Sequence, residues 1–357
     1  MTRVLHIQKV SGVSGSEAHL LQLVPALRRD GWDASMLVLH EGEPGAAEFI
    51  ERMRAADVPT EAWRMRFDFD PTVPARLLGR RPDIVHTHLV HADILGLPAA
   101  ALARVPVRIS TKHGFNEWRS RHVVANVDRT AGRFAHRQIA ISHGLARYLA
   151  DTQGFDLDRF TVVYYGIDAG PEPPPPPSAP RLLAVGRLIP IKGFDVLFRA
   201  FARARQAVPE LTLELAGAGA LEQELRVTAP EGVTLLGRVP EPAACYERSA
   251  IVVIPSRGEG FGMVALEAAE RGRAAIVTDV GGLPEIVRDG ETGLVVPAED
   301  DAALARAIVE LAQDPARVAA MGAAARLRAL THFTTKEAVD GVAAVYRDEL
   351  ARRTSTG

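Results

Sequence analysis

Ile251-Val252-Val253-Ile254-Pro255-Ser256-Arg257-Gly258-Glu259-Gly260-Phe261-Gly262-Met263-Val264-Ala265-Leu266-Glu267 decides how this chain is read. Four β-branched residues in a row read as a buried strand, and the apolar pattern after Gly262 reads as a helix. Between them lies a glycine-rich loop. Its glycines let backbone approach a ligand, and the helix that follows offers its first amides to an anion. Glu259 falls in the loop and Glu267 within the helix, so the two carboxylates can accept hydrogen bonds from separate hydroxyls of one elongated ligand. The competing reading is a glycine turn with a surface glutamate.

Strand, loop and helix repeat on both sides of this stretch. Val4-Leu5-His6-Ile7, Ser35-Met36-Leu37-Val38-Leu39, Asp83-Ile84-Val85-His86, Val107-Arg108-Ile109-Ser110 and Gln138-Ile139-Ala140-Ile141 are each followed by a helical pattern, and Val162-Val163-Tyr164-Tyr165 closes the series. After the proline run Pro173-Pro174-Pro175-Pro176-Pro177 the alternation restarts at Leu182-Leu183-Ala184-Val185. The fold class is therefore α/β, two Rossmann-like, doubly wound parallel-sheet domains, with ligands expected at the carboxyl ends of the strands. A proline run cannot enter a helix or central strand, so the linker is placed at 170–180. It separates domains at 1–169 and 181–334. A final helical stretch spans 335–357.

Composition narrows the function. A chain of 357 residues with net charge −2 is not a globally basic nucleic-acid binder. The single cysteine, Cys245, excludes an intramolecular disulfide framework and a cysteine-rich zinc module. No signal peptide or membrane span is legible, and a cytoplasmic location is expected. Four of the 42 basic residues are lysines, and Lys9, Lys112 and Lys192 fall at the ends of expected strands.

Gly186-Arg187-Leu188-Ile189-Pro190-Ile191-Lys192-Gly193 follows a strand and places Arg187 and Lys192 where a phosphate would bind; two solvated loop cations is the alternative. Ser11-Gly12-Val13-Ser14-Gly15-Ser16-Glu17 opens the first helix and fits both a phosphate cradle and a capping box. Thr111-Lys112-His113-Gly114 ends another strand, where His113 reads equally as a ligand contact or a satisfied structural histidine.

These motifs, in this order and together with Gly281-Gly282-Leu283-Pro284-Glu285, resemble the retaining glycosyltransferases of GT-B fold, family four. The resemblance spans nearly the whole chain, and it implies that the final stretch, 335–357, packs back on the first domain. It implies that Arg187 and Lys192 hold the diphosphate of a nucleotide-sugar donor, that Glu267 takes the ribose hydroxyls and that Glu259 takes the transferred sugar. Gly260, Phe261, Gly262 and Met263 would line that sugar, Gly15 would approach the diphosphate, and Val239, in Gly237-Arg238-Val239-Pro240, would help hold the base. His113 would lie near the reacting centre; with Arg187, Lys192 and Glu259 it completes the expected catalytic set. On the acceptor side the candidates are Ser14, His88 and Lys112. The implied reaction moves a hexose or N-acetylhexosamine, from UDP in preference to GDP, to a hydroxyl of a small molecule, lipid or glycan. It retains configuration and needs neither cofactor nor metal. Two departures concern loop shape: Ser14 precedes Gly15 where paired glycines are usual, and Tyr165-Gly166-Ile167-Asp168 stands where Asn-Gly-Ile-Asp is typical.

Other readings compete. His86-x-His88-x2-His91 resembles a zinc spacing, without an acidic or cysteine partner nearby. Asp68-Phe69-Asp70 resembles a metal-binding Asp-x-Asp but precedes Pro71, which favours a turn and helix cap. Arg129, Arg133 and Arg137 recur at i, i+4 spacing, with Arg119, Arg121 and His122 upstream. On one helix they would form a stripe able to meet the inner membrane face or a phosphorylated acceptor; a solvated helix face is the alternative. A nucleotide-sugar 2-epimerase and a non-catalytic bilobal sugar-binding protein are the alternative functions.

Overall fold

The computed structural model describes residues 1–115 and 122–354. The chain divides into two compact units, 1–166 with 335–357, and 167–334.

The first unit alternates strand and helix: β1 (Arg3–Lys9), α1 (Gly15–Arg29), β2 (Asp33–His40), α2 (Pro44–Ala55), β3 (Thr60–Arg64), α3 (Thr72–Leu77), β4 (Ile84–His88), α4 (Leu89–Leu102), β5 (Val107–Lys112), α5 (His122–Gly132), β6 (Arg137–Ala140), α6 (His143–Gln153) and β7 (Phe160–Val162). The strands form one parallel sheet in the order β3-β2-β1-β4-β5-β6-β7. Alternation along β1 sends Leu5 and Ile7 to one face, where they pack with Ala92, Leu95 and Ala99 of α4. Val4 goes to the other face, with Leu20, Leu23 and Leu27 of α1. Edge strand β3 carries no fully buried residue, which is why hydrophobic pattern alone passes over it.

The second unit contains β8 (Arg181–Val185), α7 (Phe194–Ala207), β9 (Thr212–Ala216), α8 (Glu222–Thr228), β10 (Val233–Gly237), α9 (Ala243–Arg248), β11 (Ile251–Ile254), α10 (Met263–Glu270), β12 (Ala274–Thr278), α11 (Leu283–Ile286), β13 (Gly293–Val296), α12 (Asp301–Ala312) and α13 (Pro315–His332). Its parallel sheet runs β10-β9-β8-β11-β12-β13. Strand order reverses between β1 and β4 in the first sheet and between β8 and β11 in the second, the two places where doubly wound sheets open a crevice for ligands.

The last helix, α14 (Thr335–Thr354), belongs to the first unit, where Val339, Val342, Val345 and Tyr346 join the α1 side of the core. The chain passes between units at Gly166/Ile167, ahead of the proline run rather than within it. Buried Arg273 is the reason: its guanidinium donates to Pro174 O at 3.0 and 2.9 Å and ties the prolines to the second unit.

Two expectations about elements change. The strand placed over 162–165 is Phe160–Val162, and the chain leaves the sheet before Tyr165. The arginine stripe does not exist as one helix face, because α5 ends at Gly132, Arg133 lies beyond it and Arg137 begins β6. There Arg137 bonds Asp158 O and pairs with Glu349. Arg119 and Arg121 lie outside the described residues, as does the side chain of His122. Among the described residues no helix is long and apolar enough to cross a membrane.

Candidate functional site

In the second unit the loops after β8 and β11 meet at the strand-order reversal. Lys192 Nζ lies 2.5 Å from Glu259 Oε2, each side chain 18% exposed. The two motifs are thus one cluster. Packing forces their approach: Gly193 has φ +67, and a Cβ there would sit 2.0 Å from Pro255 O. The paired glycines Gly281 and Gly282 work the same way. A Cβ on Gly281 (φ +55) would sit 1.6 Å from Glu259 O, so only glycine lets that turn support the Glu259 loop.

Gly260, Phe261 and Gly262 are buried, and Gly262, with φ 118, caps α10 just before half-buried Met263. Glu267, one turn into α10, accepts from Tyr246 Oη at 2.7 Å. Burial pushes the carboxyl of Glu267 up. Arg187 is exposed at the end of β8, and half-buried Val239 follows edge strand β10. The structure therefore joins Lys192 directly to Glu259, while Glu267 has its own partner.

Sequence reading missed the residue that locks these loops. Arg257 donates to both Asp195 oxygens at 2.8 Å and to Pro190 O at 2.6 Å, and its backbone NH bonds Ile191 O at 2.8 Å. The Arg257 guanidinium holds the Asp195 carboxyl down at about 2. The available signal was position: Arg257 stands two residues before Glu259.

In the first unit, Ser14 and Gly15 are exposed at the start of α1. Ser14 N and Oγ both donate to Glu17 Oε2, at 3.1 and 2.6 Å, so the capping box forms. Lys9 pairs with Glu41 and Asp68. Asp70 accepts from Thr72 N at 2.9 Å and Arg66 N at 3.0 Å, a turn and cap rather than a metal ligand.

Two acceptor-side expectations fail on burial. Lys112 is fully buried, with Nζ 2.6 Å from Asp93 and 3.0 Å from Asp128. Two desolvated carboxylates consume its charge inside the core, and the Asp93 carboxyl is pushed up, chiefly by burial. His88 is 1% exposed, so no acceptor reaches it.

His88 instead belongs to a histidine cluster that sequence did not foresee. Register sets His6 beside His86 on neighbouring strands, and His88 follows at the end of β4. His6 Nδ1 lies 3.0 Å from His88 Nε2, and His88 Nδ1 lies 2.9 Å from His113 Nε2. His113 Nδ1 bonds Tyr165 Oη, and His19 stacks on the Tyr165 ring at 3.9 Å. Tyr346 Oη reaches His86 Nδ1 at 2.6 Å and His6 Nε2 at 3.4 Å, and His86 Nε2 bonds Thr111 Oγ1 at 2.7 Å. Burial holds His6 and His19 down at about 3, and His86 and His88 well below the usual range. His6, His86 and His88 are grouped closely enough for a metal, but all six of their ring nitrogens are already hydrogen-bonded. His91 stands apart and pairs with Asp68 at 3.2 Å. Backbone strain marks this corner as well: Leu89, directly after His88, has φ +67, a conformation that costs a side-chain-bearing residue roughly 1 kcal/mol.

The family model for glycosyl transferases group 1 matches residues 179–314, and that for glycosyltransferase family 4 matches residues 13–170. A glycogen synthase from Mycobacterium tuberculosis is 32% identical over 289 residues, covering 74% of this chain and 69% of the relative. A lipopolysaccharide core biosynthesis mannosyltransferase, LpcC, from Rhizobium leguminosarum is 27% identical over 95% of this chain and 94% of its own. Among solved structures, Anabaena HepE in complex with UDP-glucose superposes with a TM-score of 0.84 at 19% identity, covering 98% of this chain and 100% of that one. The chain belongs to the group 1 glycosyltransferases, with a family 4 domain in its amino-terminal half and the GT-B fold.

Proposed function

We propose that this glycosyltransferase moves a hexose or N-acetylhexosamine from a nucleotide-diphosphate sugar, UDP in preference to GDP, to an acceptor hydroxyl with retention of configuration. The pairing of Lys192 with Glu259 where strand order reverses carries the reading. It joins a cation suited to a diphosphate to a carboxylate suited to sugar hydroxyls, beside the first amides of α10. Arg187 and Lys192 stabilise the departing diphosphate, so that charge is met by protein cations without a metal. Glu267 takes the ribose hydroxyls, while Gly15, Gly260, Phe261, Met263 and Val239 serve the donor through backbone contacts.

In the reaction proposed, the anomeric carbon–oxygen bond to the diphosphate breaks as the acceptor oxygen bonds to the same face of that carbon. The acceptor proton passes to the departing phosphate oxygen. No enzyme nucleophile takes part. The first unit serves the acceptor, with exposed Ser14 as a contact, and His113 is its contribution to the reaction. HepE was solved with UDP-glucose, which supports a uridine donor.

The test is thermal denaturation with UDP, GDP, ADP and their sugars, with and without chelator, followed by NMR of the product anomer. A shift with UDP that chelator leaves intact, and a product keeping the donor's configuration, is the expected result. An inverted product, or binding that chelator abolishes, overturns the reading. Donor incubated without acceptor is expected to hydrolyse slowly; conversion to its 2-epimer would identify the epimerase alternative.

A further inference from the structure

Hydrogen bonds around His113 join seven side chains in a row: Tyr165, His113, His88, His6, Tyr346, His86, Thr111. Each neutral imidazole has one donor and one acceptor nitrogen, and each hydroxyl donates once. If Tyr165 donates to His113 Nδ1, every later proton is fixed. His113, His88, His6 and His86 then all carry hydrogen on Nε2, and Tyr346 donates to His86. Running the row backwards puts all four protons on Nδ1. Any mixture leaves a buried donor or acceptor unmet, which costs about 1–3 kcal/mol.

The contacts choose between the two orders. Tyr346 Oη is 2.6 Å from His86 Nδ1 but 3.4 Å from His6 Nε2, and the closer contact belongs to the stronger pair, a phenol donating to imidazole nitrogen. Tyr165 presents the same chemistry at the other end, with its hydroxyl on His113 Nδ1. Both phenols drive the row in one direction. Burial keeps His6, His86 and His88 neutral, as a row of single protons requires.

We propose that Tyr165 and Tyr346 are positioning residues that lock His113 as an imidazole protonated on Nε2, the lock running through the sheet from the carboxyl-terminal helix. Both ring nitrogens of His113 serve the row, so His113 orients the reaction and transfers no proton. This rests on the glycosyl-transfer reading, which already assigns the acceptor proton to the diphosphate.

Nitrogen-15 NMR of the full chain labelled at histidine reads the tautomers without substrate. Turnover is followed with UDP-glucose as the probe. In the wild type, His6, His86, His88 and His113 are expected to share one tautomer, with hydrogen on Nε2. Tyr346→Phe is expected to give His113 a mixture of tautomers and to lower kcat roughly tenfold, the scale of one lost orienting hydrogen bond, with KM for UDP-glucose unchanged. Tyr165→Phe, at the opposite end, is expected to lower kcat likewise and serves if the first variant fails to fold. Wild-type histidines that do not share a tautomer overturn the lock, as does a His113 spectrum unmoved by Tyr346→Phe. A moved spectrum with unchanged kcat overturns the positioning role. If the wild type acts on no nucleotide sugar, the glycosyl-transfer reading and the positioning role fall together, while the spectra still decide the lock.

Discussion

Lys192 Nζ is bonded to Glu259 Oε2 at 2.5 Å, so the cation proposed for a diphosphate and the carboxylate proposed for a sugar neutralise each other. A donor that brings both groups is expected to separate the pair and supply each member with a better partner. Lys192→Ala and Glu259→Gln are each expected to lower kcat/KM roughly a hundredfold. Lys192→Ala should also weaken UDP binding by calorimetry, whereas Glu259→Gln should leave UDP alone nearly unaffected. Equal loss of UDP affinity in both would contradict the division of roles.

Glu267, proposed to take the ribose hydroxyls, is expected to cost the fold stability. Burial raises its carboxyl, so the folded state holds this proton more tightly than the unfolded chain. That contribution is present below the unfolded pKa and is lost as pH rises through the folded one. At neutral pH the raised carboxyl is therefore a cost, and Glu267→Gln is expected to raise Tm by about 2 °C while weakening UDP binding roughly tenfold. Differential scanning fluorimetry and calorimetry report the two effects separately.

Arg257 braces the Lys192 loop through Asp195 and Pro190 O, and its planar fork suits that geometry where a lysine does not. Arg257→Lys is expected to lose about 1 kcal/mol and to reduce kcat/KM more than it reduces Tm. Asp195 is held at about 2, so this pair's stability is present above the usual aspartate range and is lost as pH falls from about 4 toward 2. A urea titration at pH 3 and pH 6 should show a smaller mutant–wild-type gap at the lower pH.

The buried histidines predict where acid unfolds the first unit. His6 and His19 stay neutral down to about 3 when folded but take up protons near 6.5 when unfolded. The unfolded chain binds more protons throughout that window, so stability falls with pH by about 1.4 kcal/mol per unit for each such histidine. His6→Gln is expected to flatten the decline between pH 6 and 4, measured by denaturant midpoints. An unchanged slope would mean that His6 is protonated when folded.

Lys112 is expected to matter for folding alone. Lys112→Ala leaves Asp93 and Asp128 buried without their cation, a loss of about 3–5 kcal/mol. The fraction that remains folded should keep its acceptor KM within about twofold. A selective rise in that KM would return Lys112 to the acceptor site.

Sequence alone determined the two α/β units, most strands, the capping box at Ser14 and the glycine loops, because these follow from local periodicity, turn chemistry and short spacings. It could not separate Lys112 from Lys192. Both are lone lysines at strand ends, and only packing shows that one lies among buried carboxylates while the other remains partly exposed. Nor could it extend past Gly132 to show that the regular arginine spacing crosses from helix to strand. The histidine row joins β1, β4, β5 and α14, with Tyr346 bonded to a residue 260 positions away. Strand order and register, set by burial of both sheet faces, bring those residues together, and that is information no local window of sequence contains.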